Sequence, residues 1–174
     1  MHGLILVGYR GAGKTWLGSR LASRLKWDFI DADVWLEQST GKKIRNIFAT
    51  EGEAAFRALE SQCLEELLRR PESRILATGG GVVVSETNRR LLAPWRQNIV
   101  YLHASPADLA ARLAADTASE RPSLTGKGVI EEIAEVLAKR DHLYRAVAGH
   151  ILEVAGEDDP KLDALEQIAR SVVR

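Results

Sequence analysis

Gly8, Tyr9, Arg10, Gly11, Ala12, Gly13, Lys14 and Thr15 spell GYRGAGKT directly after the apolar run at residues 4–7, and they fill every required position of the phosphate-binding pattern G-x-x-x-x-G-K-[ST]. Glycines in such a loop let backbone N–H groups turn inward around phosphate oxygens. The lysine reaches the outer phosphates, and the hydroxyl is placed to ligate Mg²⁺. The apolar run before the loop reads as a buried strand, and the amphipathic residues 16–25 after it read as a helix whose N-terminus turns its positive dipole end to the phosphates. Gly11, Ala12, Gly13, Lys14, Thr15 and Trp16 are therefore the expected nucleotide-binding set, Trp16 through its backbone N–H.

Outward from this loop the same alternation continues. Apolar or β-rich runs recur at residues 29–31, 74–78, 99–102 and 151–154. Helical periodicity covers residues 14–25, 34–39, 44–48, 53–69, 85–92, 106–115, 129–147 and 161–173. Strands alternating with helices predict an α/β protein, a three-layer α/β/α sandwich around a five-stranded parallel sheet. Helix starts are marked by Ser85 with Asn88 three residues later, by Ser105 before Pro106, and by Pro160. Residues 116–127 (DTASERPSLTGK) are polar and hold Pro122 and Gly126, which is loop composition at the length of a lid. A mobile lid over about residues 114–128, bearing a cation and closing over the nucleotide, is one reading; an ordinary surface connection is the other.

Composition narrows the class. The 174 residues are 45% hydrophobic and 28% charged, which suits one globular domain over residues 1–174. Twenty-four basic and twenty-four acidic side chains cancel, so no general field draws nucleic acid. No apolar stretch approaches the roughly 20 residues that span a bilayer, and a cytoplasmic monomer is expected. Cys63 is the only cysteine, which rules out an internal disulfide and a cysteine zinc site. It shares an apolar stripe with Leu59, Leu64 and Leu67 and reads as core. The four histidines are scattered without ligand spacing.

Four features bear on what receives the phosphate. Asp31 and Asp33 close the second strand, where open α/β sheets place ligands, and strand alternation puts both carboxylates on one side. One would serve the Mg²⁺ shell and the other take a proton from an acceptor hydroxyl; helix capping by Asp33 is the plainer alternative. Gly79, Gly80 and Gly81 end the third strand, either to let backbone approach an anionic group or to make a tight turn. That strand carries no acidic residue for the metal, which leaves Asp31 as the magnesium-side candidate with Thr15. Arg57, Arg121 and Arg140 are isolated arginines, and Phe48 and Phe56 read as core.

Together the segments GYRGAGKT, DADVWLE at 31–37, IFATEGEAAFRALE at 47–60, ATGGGVV at 77–83, RPSLTGK at 121–127 and KRDHLYRAVA at 139–148 resemble the shikimate kinase family in content, order and spacing. The resemblance implies a P-loop kinase fold with a lid, and transfer of the γ-phosphoryl group of ATP to the 3-hydroxyl of shikimate on the route to chorismate and aromatic amino acids. It implies Asp33 at the accepting hydroxyl, Asp31 beside Mg²⁺, and Arg57 and Arg140 on the shikimate carboxylate with the Gly80 N–H. Arg121 would reach the nucleotide phosphates from the lid. Two positions depart from the family: Trp16 stands where a small hydroxyl residue is usual, and residues 155–160 (AGEDDP) lack an arginine that stacks on adenine in some members. The nearest rival is another small-metabolite kinase of this fold, such as a gluconate kinase. A nucleotide-dependent switch would need a water-positioning residue and a partner surface that no segment demands.

Overall fold

In the computed structural model, which describes residues 2–115 and 129–172, the run Leu4 to Val7 is fully buried, as a strand covered on both faces must be. It forms most of β1 (His2–Val7), followed by α1 (Lys14–Leu25), β2 (Asp28–Asp31), α2 (Ala32–Thr40), α3 (Ile44–Thr50) and α4 (Gly52–Arg69). Then come β3 (Ser73–Ala77), a short 3₁₀ turn (Val82–Val84), α5 (Glu86–Leu92), a second 3₁₀ segment (Ala93–Asn98) and β4 (Ile99–His103). The chain closes with α6 (Pro106–Ala115), α7 (Val129–Val147), β5 (His150–Glu153) and α8 (Asp158–Val172).

All pairings are parallel, in the order β2-β3-β1-β4-β5. The chain leaves β1 to build one flank and returns past it to build the other, so β1 is where the order reverses and where ligands collect above the strand ends. Two faces are distinguishable from the register. A Cβ on Gly18 of α1 would lie 3.2 Å from Leu6 and 2.7 Å from Phe29, so α1 sits on the Leu6 face, pressed so close that only glycine fits. Val100 is level with Leu6 and shares that face, which turns Tyr101 to the other. There the Tyr101 hydroxyl meets Asp141 of α7 at 2.9 Å. Helices therefore cover both sides of the sheet, as the alternation predicts.

Local signals account for most boundaries. The Ser85 side chain accepts from the Asn88 N–H at the start of α5, as its spacing predicts. α8 begins at Asp158 rather than at Lys161, with Pro160 inside its first turn, where a missing N–H costs nothing. Phe56 is buried and its ring lies 4.6 Å from that of Phe48, a core pair. Cys63 is buried too, and burial pushes its thiol up to about 12, so it is an inert core residue. No helix among the described residues is long and apolar enough to cross a membrane. Most of the expected lid, including Arg121, lies outside the described residues.

Candidate active site

The loop between β1 and α1 is shaped for an anion by what it lacks. Gly13, the residue capping α1, is left-handed at φ 89° and brings no side chain to satisfy the first-turn N–H groups, and that turn carries no acidic residue. Such a helix end presents N–H donors and a positive dipole to a ligand. The Lys14 ammonium donates to the carbonyls of Gly8 at 2.7 Å and Tyr9 at 2.9 Å and is nearly buried, which holds it beneath the loop. Trp16 is 41% exposed. Its ring is overlaid by the Arg20 guanidinium at 3.8 Å, so at this position only the backbone resembles a usual phosphate loop.

At the next strand but one, Thr15 donates its hydroxyl to Asp31 Oδ2 at 2.6 Å. The other carboxylate oxygen accepts from the N–H groups of Asp33 and Val34 at 3.0 and 3.3 Å. Asp31, not Asp33, is thus the cap of α2, because the chain turns helical at Ala32 and a cap must precede the first helical residue. Capping fixes Asp31 with one oxygen turned to Thr15. A hydroxyl and one carboxylate oxygen in contact form a plausible pair of ligands for a cation that keeps most of its waters, as Mg²⁺ does. Asp33 is thereby released from the capping role and lies one helical step further on.

The three glycines after β3 are explained by what touches each. A Cβ on Gly79 would lie 2.8 Å from Asp33 Oδ1 and 3.1 Å from Glu60 Oε1; on Gly80, 3.0 Å from the Arg10 backbone nitrogen; on Gly81, 2.5 Å from an Arg57 nitrogen. None of the three has a positive φ. Close approach and not turn geometry therefore demands glycine here, and the turn brings an acidic side chain, the phosphate loop and a guanidinium onto one short stretch of backbone.

Behind this turn stands Glu60, 7% exposed. Its Oε2 accepts from Arg57 at 2.9 Å and from Asn88 at 3.4 Å, while its Oε1 has no hydrogen-bond partner. Burial pushes the Glu60 carboxyl up against the pull of Arg57; Asp33 adds to the rise and Arg140 opposes it. Arg57 also reaches Glu53 at 3.2 Å. Burial works against the Arg57 charge, but its two glutamates outweigh it and hold the guanidinium charged. A small cavity of about 10 Å³, lined in part by Asp33, Glu60, Cys63 and Thr78, is close to the volume one water centre needs.

The predicted acceptor residues Asp33, Arg57, Gly79, Gly80 and Gly81 thus converge. Arg140 joins them from α7: its charge acts on Glu60, on Tyr9 of the phosphate loop and on Tyr144. Three contributors went unread in the sequence. Glu60 falls between Phe56 and Leu64 on the apolar stripe of α4, and a charge on such a stripe is a detectable signal. Glu132, 1% exposed, takes an ion pair from Arg10 of the phosphate loop at 3.1 Å. Arg112 of α6 donates to the Val154 carbonyl and lies 3.7 Å from a Cβ on Gly13, so a guanidinium flanks the nucleotide loop although residues 155–160 contain none.

Comparison with known proteins identifies the family. The family model described as shikimate kinase matches residues 10–174. Shikimate kinase 2 of Sodalis glossinidius is 45% identical over 165 residues, 94% of this chain and 93% of that protein. The structure of the Acinetobacter baumannii shikimate kinase in complex with shikimate superposes with a TM-score of 0.81 at 34% identity, covering 99% of this chain and 91% of that one. A gluconokinase from Sinorhizobium meliloti shares the fold at a TM-score of 0.58 and 21% identity, covering 98% and 91%, and at that identity it speaks for the fold alone. The chain belongs to the shikimate kinase family.

Proposed function

We propose that this enzyme transfers the γ-phosphoryl group of ATP to the 3-hydroxyl of shikimate, giving shikimate 3-phosphate and ADP. One observation carries the assignment: the glycine turn at residues 79–81 touches Asp33, the phosphate loop and Arg57 at once, so a hydroxyl acceptor anchored by its carboxylate would lie beside the donor phosphate. Lys14 and the N–H groups of residues 11–16 hold the phosphates. Thr15 and Asp31 would hold Mg²⁺, which when bound neutralises charge on the phosphate oxygens.

Asp33 accepts the proton of the attacking hydroxyl as the O–P bond forms and ADP departs with the bridging oxygen. Arg57 and Arg140 clamp the carboxylate at the far side of the ring, where a fork of N–H donors matches its two oxygens. The Gly80 N–H contributes a further donor. Arg121 is assigned to the nucleotide phosphates, where it stabilises the charge of the transition state. We place the reaction in the cytoplasm and take the monomer as its unit.

An ADP-release assay across shikimate, quinate, gluconate and nucleoside monophosphates tests the assignment. Release that depends on shikimate is expected. Turnover confined to gluconate would replace the acceptor and leave only the fold standing.

A further inference from the structure

The three glycine carbonyls after β3 are held in different ways. Gly79 O accepts from the Val82 N–H at 3.2 Å and Gly81 O from the Val84 N–H at 2.9 Å, so both are tied down within the 3₁₀ turn itself. Gly80 O is held from outside, by the hydroxyl of Tyr144 on α7. Glycine peptides rotate more freely than others because no side chain restricts them. The plane between Gly80 and Gly81 is thus fixed by a side chain from a different element.

That side chain is itself immobilised. Tyr144 is fully buried, and its ring stacks on Tyr101 with centroids 4.9 Å apart and planes 20° apart. The Tyr101 hydroxyl is bonded to Asp141 at 2.9 Å, and Asp141 accepts from Arg145 at 2.6 Å. Burial pushes the Tyr144 phenol up despite the Arg140 charge and a hydrogen bond with the Arg140 side chain, so it remains a protonated donor. In a planar trans peptide the carbonyl and the following N–H point in opposite directions. A Gly80 carbonyl drawn to α7 therefore sends the Gly81 N–H away from α7.

We propose, on the acceptor assignment given above, that Tyr144 is a positioning residue for the acceptor: acting through the Gly80 carbonyl, its hydroxyl aims the Gly81 N–H into the pocket that Arg57 and Asp33 border. Arg57 already lies against Gly81, so the N–H and the guanidinium converge on one anionic or hydroxyl group. Tyr144 touches no reacting atom, and its effect falls on acceptor binding.

Tyr144→Phe and Tyr101→Phe form a matched pair, since each deletes one buried hydroxyl and keeps the stacked ring. Tyr144→Phe is expected to raise the KM for shikimate about fivefold, the size of one ordinary hydrogen bond, with kcat and the KM for ATP little changed. Tyr101→Phe is expected to leave the shikimate KM at the wild-type value. An equal rise in both variants, or none in Tyr144→Phe, would overturn the proposal. A second measurement separates this route from the contact between Tyr144 and Arg140: the Gly81 amide resonance should shift on titration with shikimate in the wild-type enzyme and shift less in Tyr144→Phe, and an equal shift in both would overturn the proposal. Phosphorylation of shikimate with an unmoved Gly81 amide defeats this inference alone, whereas no phosphorylation of shikimate defeats the acceptor assignment beneath it.

Discussion

Asp33 and Arg57 border the same glycine turn and are assigned to different steps of the proposed reaction, and their substitutions separate the two. Asp33→Asn keeps the shape and removes the proposed base, so kcat should fall by about 10²- to 10⁴-fold with the KM for ATP nearly unchanged; steady-state kinetics with each substrate varied in turn checks this. Arg57→Ala removes a charge-assisted bond of about 1.5–3 kcal/mol, which corresponds to a rise of roughly 10- to 150-fold in shikimate KM. Normal shikimate kinetics in that variant would remove Arg57 from the acceptor site. Asp33 was a candidate from its place at a strand end, a local signal, whereas Arg57 reads as an isolated helix arginine and became a candidate only through the family resemblance. Glu60, which holds Arg57, went unread although it sits on the apolar stripe of α4; its pairing with Arg57 at i+3 passes for an ordinary exposed helix pair until the fold shows the face to be buried. The exchange of capping roles between Asp31 and Asp33 has the same origin, since it turns on whether the helix begins at Ala32 or Val34, a boundary that composition does not mark.

Among the elements, α7 has the most varied duties. It carries Glu132 to the phosphate loop, Arg140 to the acceptor side and Tyr144 to the glycine turn, and it docks on the sheet through Asp141. Burial disfavours the Asp141 charge, but bonds from Arg145 and Tyr101, with the charges of Arg145 and His103, outweigh it and hold the carboxyl below the ordinary range. A carboxyl lowered in the folded state lends stability that is fully present above its unfolded value of about 4 and is lost as pH falls through the folded value. Asp141→Asn should therefore lower Tm at pH 7 by roughly 2–4 °C, for about 1 kcal/mol of net hydrogen bonding. The deficit should shrink below about pH 3; calorimetry at both pH values measures it, and a constant deficit would mean that packing, not charge, docks the helix. The span of α7 was read correctly from its periodicity. Its network was not, because Tyr101 and Tyr144 are 43 residues apart and meet only once β4 and α7 are stacked.

For the whole molecule, the nucleotide should act as a clamp on stability. Ligand at 100 times its Kd adds about 2.7 kcal/mol to the folded state, so MgATP at that level should raise Tm by roughly 5–10 °C. Lys14→Met should abolish most of that shift in a thermal scan; an undiminished shift would mean the nucleotide is held elsewhere. The sheet was legible as five runs, but for two reasons: β1, β3 and β4 are buried on both faces and leave a continuous apolar signature, whereas the edge strands β2 and β5 are partly exposed and were read from their place between helical stretches. The order of the strands has a consequence of its own. The phosphate loop leaves β1, the glycine turn leaves its neighbour β3, and Asp33 follows β2 one strand further out. Adjacent strands lie about 4.8 Å apart, so the sheet is a ruler, and phosphate loop, glycine turn and Asp33 occupy successive marks on it. The pitch between them is set by backbone hydrogen bonds that no side chain can lengthen. Fitting a different acceptor to this frame is therefore a matter of exchanging the groups at each mark, since the marks themselves do not move.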